Sequence, residues 1–294
     1  WSSDVCSSDL EGPAPAPPAR SGGPLRKVRA DVRIRRGPLQ IAPSPGQRWL
    51  YTPLIESAER DLWVTAMKID AGDRPLVHES VYVLEKLPDL SHASEKGLML
   101  EGKEVLFRQN MPTNGRKFVA FPQGVAMRIP KGAALLLEQH LYPALKEEQA
   151  SVELLLEEHK GRTKPRELLY EIVSSRDFEI PAGASYFPLT RLWKVPRDTW
   201  VVSVLPHMHQ HGISMKAVLR RKPGAPAETI FSVPNFSFSH SRTYTFERPI
   251  LFPKGSELQV SALFDNSPEN PYRMPFDKPL RFGPDAERDE MGDL

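Results

Sequence analysis

The chain has 294 residues, enough for about two domains of roughly 150 residues each or one large β-sandwich. Its 26% of charged residues, with no apolar run near the ~18–20 residues that cross a bilayer, exclude an integral membrane helix, and 39 basic against 37 acidic side chains leave +2, too little field for nucleic-acid binding. Thirty prolines, about twice the usual ~5%, disfavour helical bundles and favour β-structure, and a single cysteine, Cys6, excludes an intrachain disulfide, zinc fingers and iron–sulfur clusters.

Residues 1–10 repeat Ser-Ser-Asp at positions 2–4 and 7–9 and lack an initiator Met; they are read as a non-native leader. Residues 11–25 are rich in proline and alanine, cannot bury a core, and are read as a polyproline-like linker, so that 1–27 stand apart and folded structure is expected from Val28. Basic residues from Arg20 to Arg36 and acidic residues from Asp285 to Asp293 are expected to be solvated terminal segments.

From Val28 onward, short β-favouring runs recur between turn signals: 32–34, 48–52, 62–69, 76–84, 118–120, 134–140, 152–156, 200–205, 213–219, 228–233, 243–246 and 257–264. The composition of 144–160 also suits a helix; it is read as a loop feeding a strand. Two echoes suggest duplication. Leu62-Trp63-Val64 resembles Thr199-Trp200-Val201, and Ile129-Pro130-Lys131-Gly132 resembles Phe252-Pro253-Lys254-Gly255, in the same order. The expected architecture is all-β, two tandem antiparallel β-sandwich (jelly-roll-like) domains covering 28–175 and 176–294.

The sharpest local feature is Leu205-Pro206-His207-Met208-His209-Gln210-His211-Gly212, at the end of an apolar run. On extended backbone, alternate side chains share a face, so His207 and His209 project together about 6–7 Å apart and can reach one ion. Surface or hydrogen-bonded histidines are the competing reading. His211 joins them only if the strand continues through Gly212, which is not expected. His78 and His140 lie on strands of the first half, a setting in which a single histidine is usually structural. His92, His159 and His240 are read as surface or structural residues.

The order Pro-His-Met-His, then Phe264-Asp265-Asn266-Ser267-Pro268, then Asp289-Glu290-Met291 resembles the C-terminal domain of the copper type II, ascorbate-dependent monooxygenases. These are the relatives of peptidylglycine alpha-hydroxylating monooxygenase and dopamine beta-monooxygenase, and the chain looks most like their bacterial, cysteine-poor members. The resemblance spans Val28 to Met291 and is stronger from Ile180 onward. It implies two β-sandwiches, each holding one copper, across a solvent-filled cleft. It places the oxygen-binding copper on His207, His209 and Met291, and the electron-transfer copper on His78 and His140, with Glu79 where the family has a second adjacent histidine. A thioether with imidazoles suits copper independently.

The reaction so implied is hydroxylation of a substrate carbon–hydrogen bond with dioxygen and ascorbate or a similar reductant, with no identifiable acid–base residue. The substrate is expected to be a small or peptide-like molecule, and the compartment extracellular or periplasmic. A non-catalytic copper-binding or interaction module of the same fold is the alternative, and a plain adhesion or carbohydrate-binding sandwich a third reading.

Overall fold

A computed structural model describes residues 28–71, 76–91, 93, 98, 100, 104–111, 118–238, 241–271, 278–283 and 289–294. The leader and linker, Cys6, His92 and His240 lie outside the described residues. The first half contains β1 (Val32–Ile41), β2 (Arg48–Ile55), β3 (Leu62–Asp70), β4 (Leu76–Leu84), β5 (Val105–Met111), β6 (Phe118–Ala120), β7 (Val125–Ile129), β8 (Ala134–Leu141), β9 (Glu148–Glu158) and β10 (Arg166–Glu167). The second half contains β11 (Glu179–Ile180), β12 (Phe187–Lys194), β13 (Thr199–Val204), β14 (Gly212–Arg220), β15 (Glu228–Val233), β16 (Tyr244–Phe252), β17 (Glu257–Phe264) and β18 (Leu280–Arg281). The protein is all-β, and 144–160 resolves into a turn and a strand.

In the first half a sheet of order β1-β9-β3-β7-β10, with β6 on β3, packs against the sheet β2-β8-β4-β5. Val64, Met67, Met127 and Leu154 from one sheet meet Val81, Val83, Leu135 and Leu137 from the other. In the second half the sheet β12-β17-β14-β15 packs with the pair β13-β16 around Met215, Leu219, Phe252, Leu258 and Phe264, and β11 pairs with β18. Among the described residues, every strand pairing stays within one half. The chain crosses between Leu168, whose N–H still bonds to Ala126, and Val173, which exchanges backbone bonds with Leu294.

The basic segment is ion-paired rather than merely solvated: Arg33 and Arg35 on β1 both reach Glu153 on β9 at 2.7 Å. The acidic tail, expected to be solvated, instead enters the interior. Glu290 and Asp293 are buried, because the tail lies along the segment after β13 and its backbone pairs with His207.

Both sequence echoes occupy equivalent places. The Trp63 strand pairs with β7 and the Trp200 strand with β16, and each partner ends in Pro-Lys-Gly. Asp61 Oδ1 accepts the Lys131 N–H at 2.8 Å, and Asp198 Oδ1 accepts the Lys254 N–H at 2.6 Å. Gly132 donates to Ala58 and Gly255 to Val195, both at 2.8 Å. The strand after each turn, β8 or β17, then takes the second place in a four-stranded sheet of matching order. Six strands escaped the sequence reading: β5, β7, β10, β11, β12 and β18. Three of them have only two residues, and β12, a largely exposed edge strand, mixes polar and apolar residues without period-2 alternation.

Gly132 and Gly255 have φ of 86° and 80°, and an added Cβ at either would meet open space. Any cost of alanine there is therefore conformational. We expect Gly132→Ala and Gly255→Ala each to destabilise by about 1 kcal/mol, equally and additively in urea denaturation, because left-handed backbone disfavours a Cβ. Unequal costs would mean that the two turns are not equivalent.

Candidate metal centre

All eight residues of β8 are buried, because the strand is covered on both faces. Leu135 and Leu137 enter the sandwich interior, whereas Leu136 packs outside against Tyr82 and Leu84. The alternation carries on into polar residues at the strand end, where Glu138 and His140 continue the outer row and Gln139 the inner one. His78 on β4 is the direct cross-strand partner of His140, with ring centroids 5.0 Å apart. Trp49 on β2 flanks His140 on the other side and stacks on it at 4.3 Å. Glu79 pairs with Gln139 in the inner row, where Gln139 donates to its carboxylate at 3.1 Å. It is thus turned away from the histidines.

Buried polar groups need partners, and most here have them. Glu138 accepts from Tyr51 at 2.9 Å, Tyr82 at 3.3 Å and His78 Nε2 at 3.4 Å. Burial alone would raise its carboxyl, but the bond to His78, the Arg108 charge and Tyr51 outweigh it and hold Glu138 below the ordinary carboxylate range. A proton on His78 Nε2 leaves Nδ1 for another partner, and none is present among the described residues. This carboxylate-to-imidazole bond is the kind that orients metal-ligating histidines. His140 is the outlier: at 0% exposure, neither ring nitrogen has a hydrogen bond.

In the second half, Met208 points into the core and leaves His207 and His209 on the opposite side of the extended chain. The chain then turns, with Gly212 donating to the His209 carbonyl. A side chain at Gly212 would come within 2.6 Å of Met208 Cβ, so glycine lets the turn close over the buried methionine. His211 falls in this turn, off the alternation.

The tail 289–294 fixes the segment in place. His207 and Asp293 exchange backbone bonds at 2.9 and 3.0 Å. The Glu290 carboxylate accepts N–H groups from His209, from His211 at 3.0 Å and from Met291 at 2.9 Å. Burial pushes the Glu290 carboxyl up to about 8, although these three donors favour its charged form. His209 Nδ1 donates to the Asp289 carbonyl at 3.0 Å, leaving Nε2 as the nitrogen with a lone pair. The structure therefore brings the Met291 backbone close to that of His209 through one shared carboxylate, despite their separation in sequence.

The two histidine pairs also meet each other. His207 and His209 have centroids 5.4 Å apart, and His78 lies 6.2 Å from His207. Phe238 sits among them, 5.5 Å from both His78 and His140 and 5.6 Å from His209. Among the described residues, no solvent-filled cleft such as the resemblance implies separates these rings. All four rings are buried, and a hydrogen-bonded chain, Ser80 to Asn110 to Ser241 to Pro206, links the sandwiches beside them.

Imidazole nitrogens ligate at about 2.0–2.1 Å, so two rings sharing one ion at a tetrahedral angle have centroids about 5.2 Å apart. Each same-domain pair has that spacing; the pair across the interface does not. Accordingly, no three His, Cys, Asp or Glu side chains among the described residues form a group that could hold a metal ion. The cluster offers two imidazole pairs, and the backbone of Met291 is tied to the segment that carries one of them.

Burial pushes His140 and His207 well below the usual imidazole range, with further lowering from neighbouring histidines and, for His207, from Arg108. It takes His209 to about 4, the Asp289 carbonyl pulling the other way. These three rings are neutral at pH 7, the form that ligates metals. Sequence reasoning missed the groups that hold them: Trp49, Glu138, Phe238 and the Glu290 carboxylate. Only Glu290 carried a signal, as part of Asp-Glu-Met. His159 has the structural role expected of it, donating to the Thr163 carbonyl at 2.8 Å.

A cavity of about 360 Å³ opens beside the cluster, between segment 166–173 and β13, and reaches His207. No family model and no curated protein matches the chain, so the resemblance to the copper monooxygenases rests on the local motifs alone.

Neutral buried imidazoles stabilise the fold above the unfolded histidine pKa, ~6.5, and that stability is lost as pH falls towards the depressed folded value, about 4 for His209. Metal-free protein is therefore expected to lose unfolding free energy between pH 6.5 and 4. His140→Phe, which keeps a ring against Trp49, should flatten the decline in urea denaturation. An unchanged slope would mean that His140 is not among the groups that acquire charge.

Proposed function

We propose that this chain is a copper-dependent, monooxygenase-like protein in which His207, His209 and Met291 hold one copper and His78 and His140 hold a second, weaker one. The observation that carries this reading is His140, fully buried with two unpartnered nitrogens, beside further unpartnered nitrogens on His78 and His207. Leaving a buried polar group unpaired costs about 1–3 kcal/mol, which a bound metal would offset. Imidazoles with a thioether form a donor set that favours copper.

When bound, copper would supply the one-electron and dioxygen chemistry that hydroxylates a substrate carbon–hydrogen bond, with ascorbate or a similar reductant. The chain's own groups do the positioning. Glu138 orients His78, the Asp289 carbonyl orients His209, and Glu290 ties the tail to the histidine segment. Phe238 and the surrounding strands exclude water. A small or peptide-like substrate would approach the copper through the cavity at His207. Helices long and apolar enough to cross a membrane are absent among the described residues, and we place the protein outside the cytoplasm, in the periplasm or beyond, by the same resemblance.

A second reading, a non-catalytic copper module, is favoured by Glu79, which faces the interior and leaves the first pair without a third imidazole. Anaerobic Cu(I) titration followed by oxygen uptake separates the two. We expect more than one copper per chain, a fall towards one in His140→Ala, and copper-dependent oxygen uptake with ascorbate. Tight copper without uptake would select the module, and failure to retain copper would overturn both.

A further inference from the structure

Asp293 and Leu294 lie in the middle of a backbone ladder. Asp293 exchanges N–H···O bonds with His207 on one side, and Leu294 exchanges them with Val173 on the other, at 2.9 and 3.2 Å. Successive residues bonding to opposite sides is the pattern of a central strand, and both neighbours run antiparallel to it. In the direction in which the tail runs, one neighbour continues as segment 167–172 and the other as Leu205 and then β13 back to Thr199. Among the described residues no strand lies between them, for β13 pairs with β16 alone. The space there is the cavity of about 360 Å³, lined along its length by 166–173 and 199–205 and at its near end by Asp293 and Leu294.

The backbone on both walls is turned to receive a strand. Arg166 and Leu168 donate away from the slot, to Gly124 and Ala126 of the first sandwich, at 2.9 Å each, whereas Val173 bonds towards the tail. Alternation on extended backbone then turns the N–H and C=O of Leu169 and Glu171 into the slot, in phase with Val173. On the other wall the Pro206 carbonyl accepts from Ser241 and the next residue, His207, bonds to Asp293, so Leu205 also faces the slot. Leu169, Glu171 and Leu205 all line the cavity and make no backbone–backbone hydrogen bond among the described residues.

We infer that this slot is a docking site for an extended segment of a partner polypeptide, taken up as a β-strand between 168–172 and β13, antiparallel to both and in line with Asp293 and Leu294. An unpaired strand edge is a template for such addition, and here the guest extends a ladder that the tail has already begun. Its length follows from the wall: Leu205 to Val201 takes about five residues at ~3.3 Å each. Its side chains are apolar and preferably β-branched, because Trp193, Phe252 and Leu258 of the second sandwich and Phe107 and Val125 of the first line the same space. Docking needs no metal and is independent of the copper reading.

The test is titration of the full chain with acetyl-Thr-Val-Thr-Val-Thr-Val-amide, followed by fluorescence of Trp193 and Trp200, which line the slot. Two further peptides carry backbone N-methyl groups on either the valines or the threonines. A guest bonded on both sides uses the N–H groups of successive residues, so each methylated peptide is expected to bind about tenfold more weakly or worse. Leu169→Pro removes one slot-facing N–H at a side chain 63% exposed and should also weaken the parent peptide, whereas Leu169→Ala should bind it as wild type does. Thermal melts identify a variant that fails to fold, and the three peptides on wild type stand as a test without either. No saturable binding of the parent peptide would overturn the inference. So would binding indifferent to N-methylation, which means an apolar pocket without strand pairing, or binding weakened by only one pattern, which means pairing with a single wall. Sedimentation that shows a dimer dissolved by the peptide would give the slot to a second copy of the chain and overturn it as well.

Discussion

Strand β8 is covered on both faces, and the placement of the histidines follows from that. An apolar strand in this position costs nothing extra, but β8 ends in Glu138, Gln139 and His140, which are carried into the interior with it. Each must then find a partner inside the protein. Glu138 finds two tyrosines and His78, and Gln139 finds Glu79, whereas the two nitrogens of His140 find none. Burial of the strand thus creates the unsatisfied imidazole on which the metal reading depends.

The second sandwich reaches the same place by different means. Its equivalent strand, β17, ends in apolar residues, and its histidines come instead from the segment after β13. That segment is not part of a sheet and is held by the tail. The Glu290 carboxylate gathers the backbone N–H groups of His209 and His211 at the turn, together with that of Met291 in the tail. Duplication therefore explains the scaffold but not the site. The two imidazole pairs sit on non-equivalent positions of equivalent sandwiches, and they meet because the outer face of one sheet packs on the loop end of the other.

Much of this was legible in the sequence. The Trp-bearing strands and Pro-Lys-Gly turns recur, and period-2 alternation put His207 with His209 and set Glu79 apart from His78. What the sequence could not carry was the relation between sandwiches. Nothing local to Phe238 or Arg108 says that each faces histidines from the other half, and nothing in Asp285 to Asp293 distinguishes a solvated acidic tail from one whose carboxylates bind buried amides. Contacts of long sequence separation, such as His78 to His207, leave no periodic trace. The cleft was expected from the resemblance, whereas the packing of Asn110 on Ser241 and of Phe238 among the rings is particular to this chain.

We propose that imidazoles from both sandwiches, with the Met291 sulfur, ligate copper at this interface. X-ray absorption at the copper edge, on Cu(I)-loaded wild type and on Met291→Ile, addresses it most directly, because sulfur and nitrogen scatterers are distinguishable and isoleucine keeps a similar apolar bulk. Imidazole nitrogens plus one sulfur are expected in wild type, and loss of the sulfur alone in the variant. A wild-type spectrum with no sulfur, or a sulfur that survives in Met291→Ile, would contradict it.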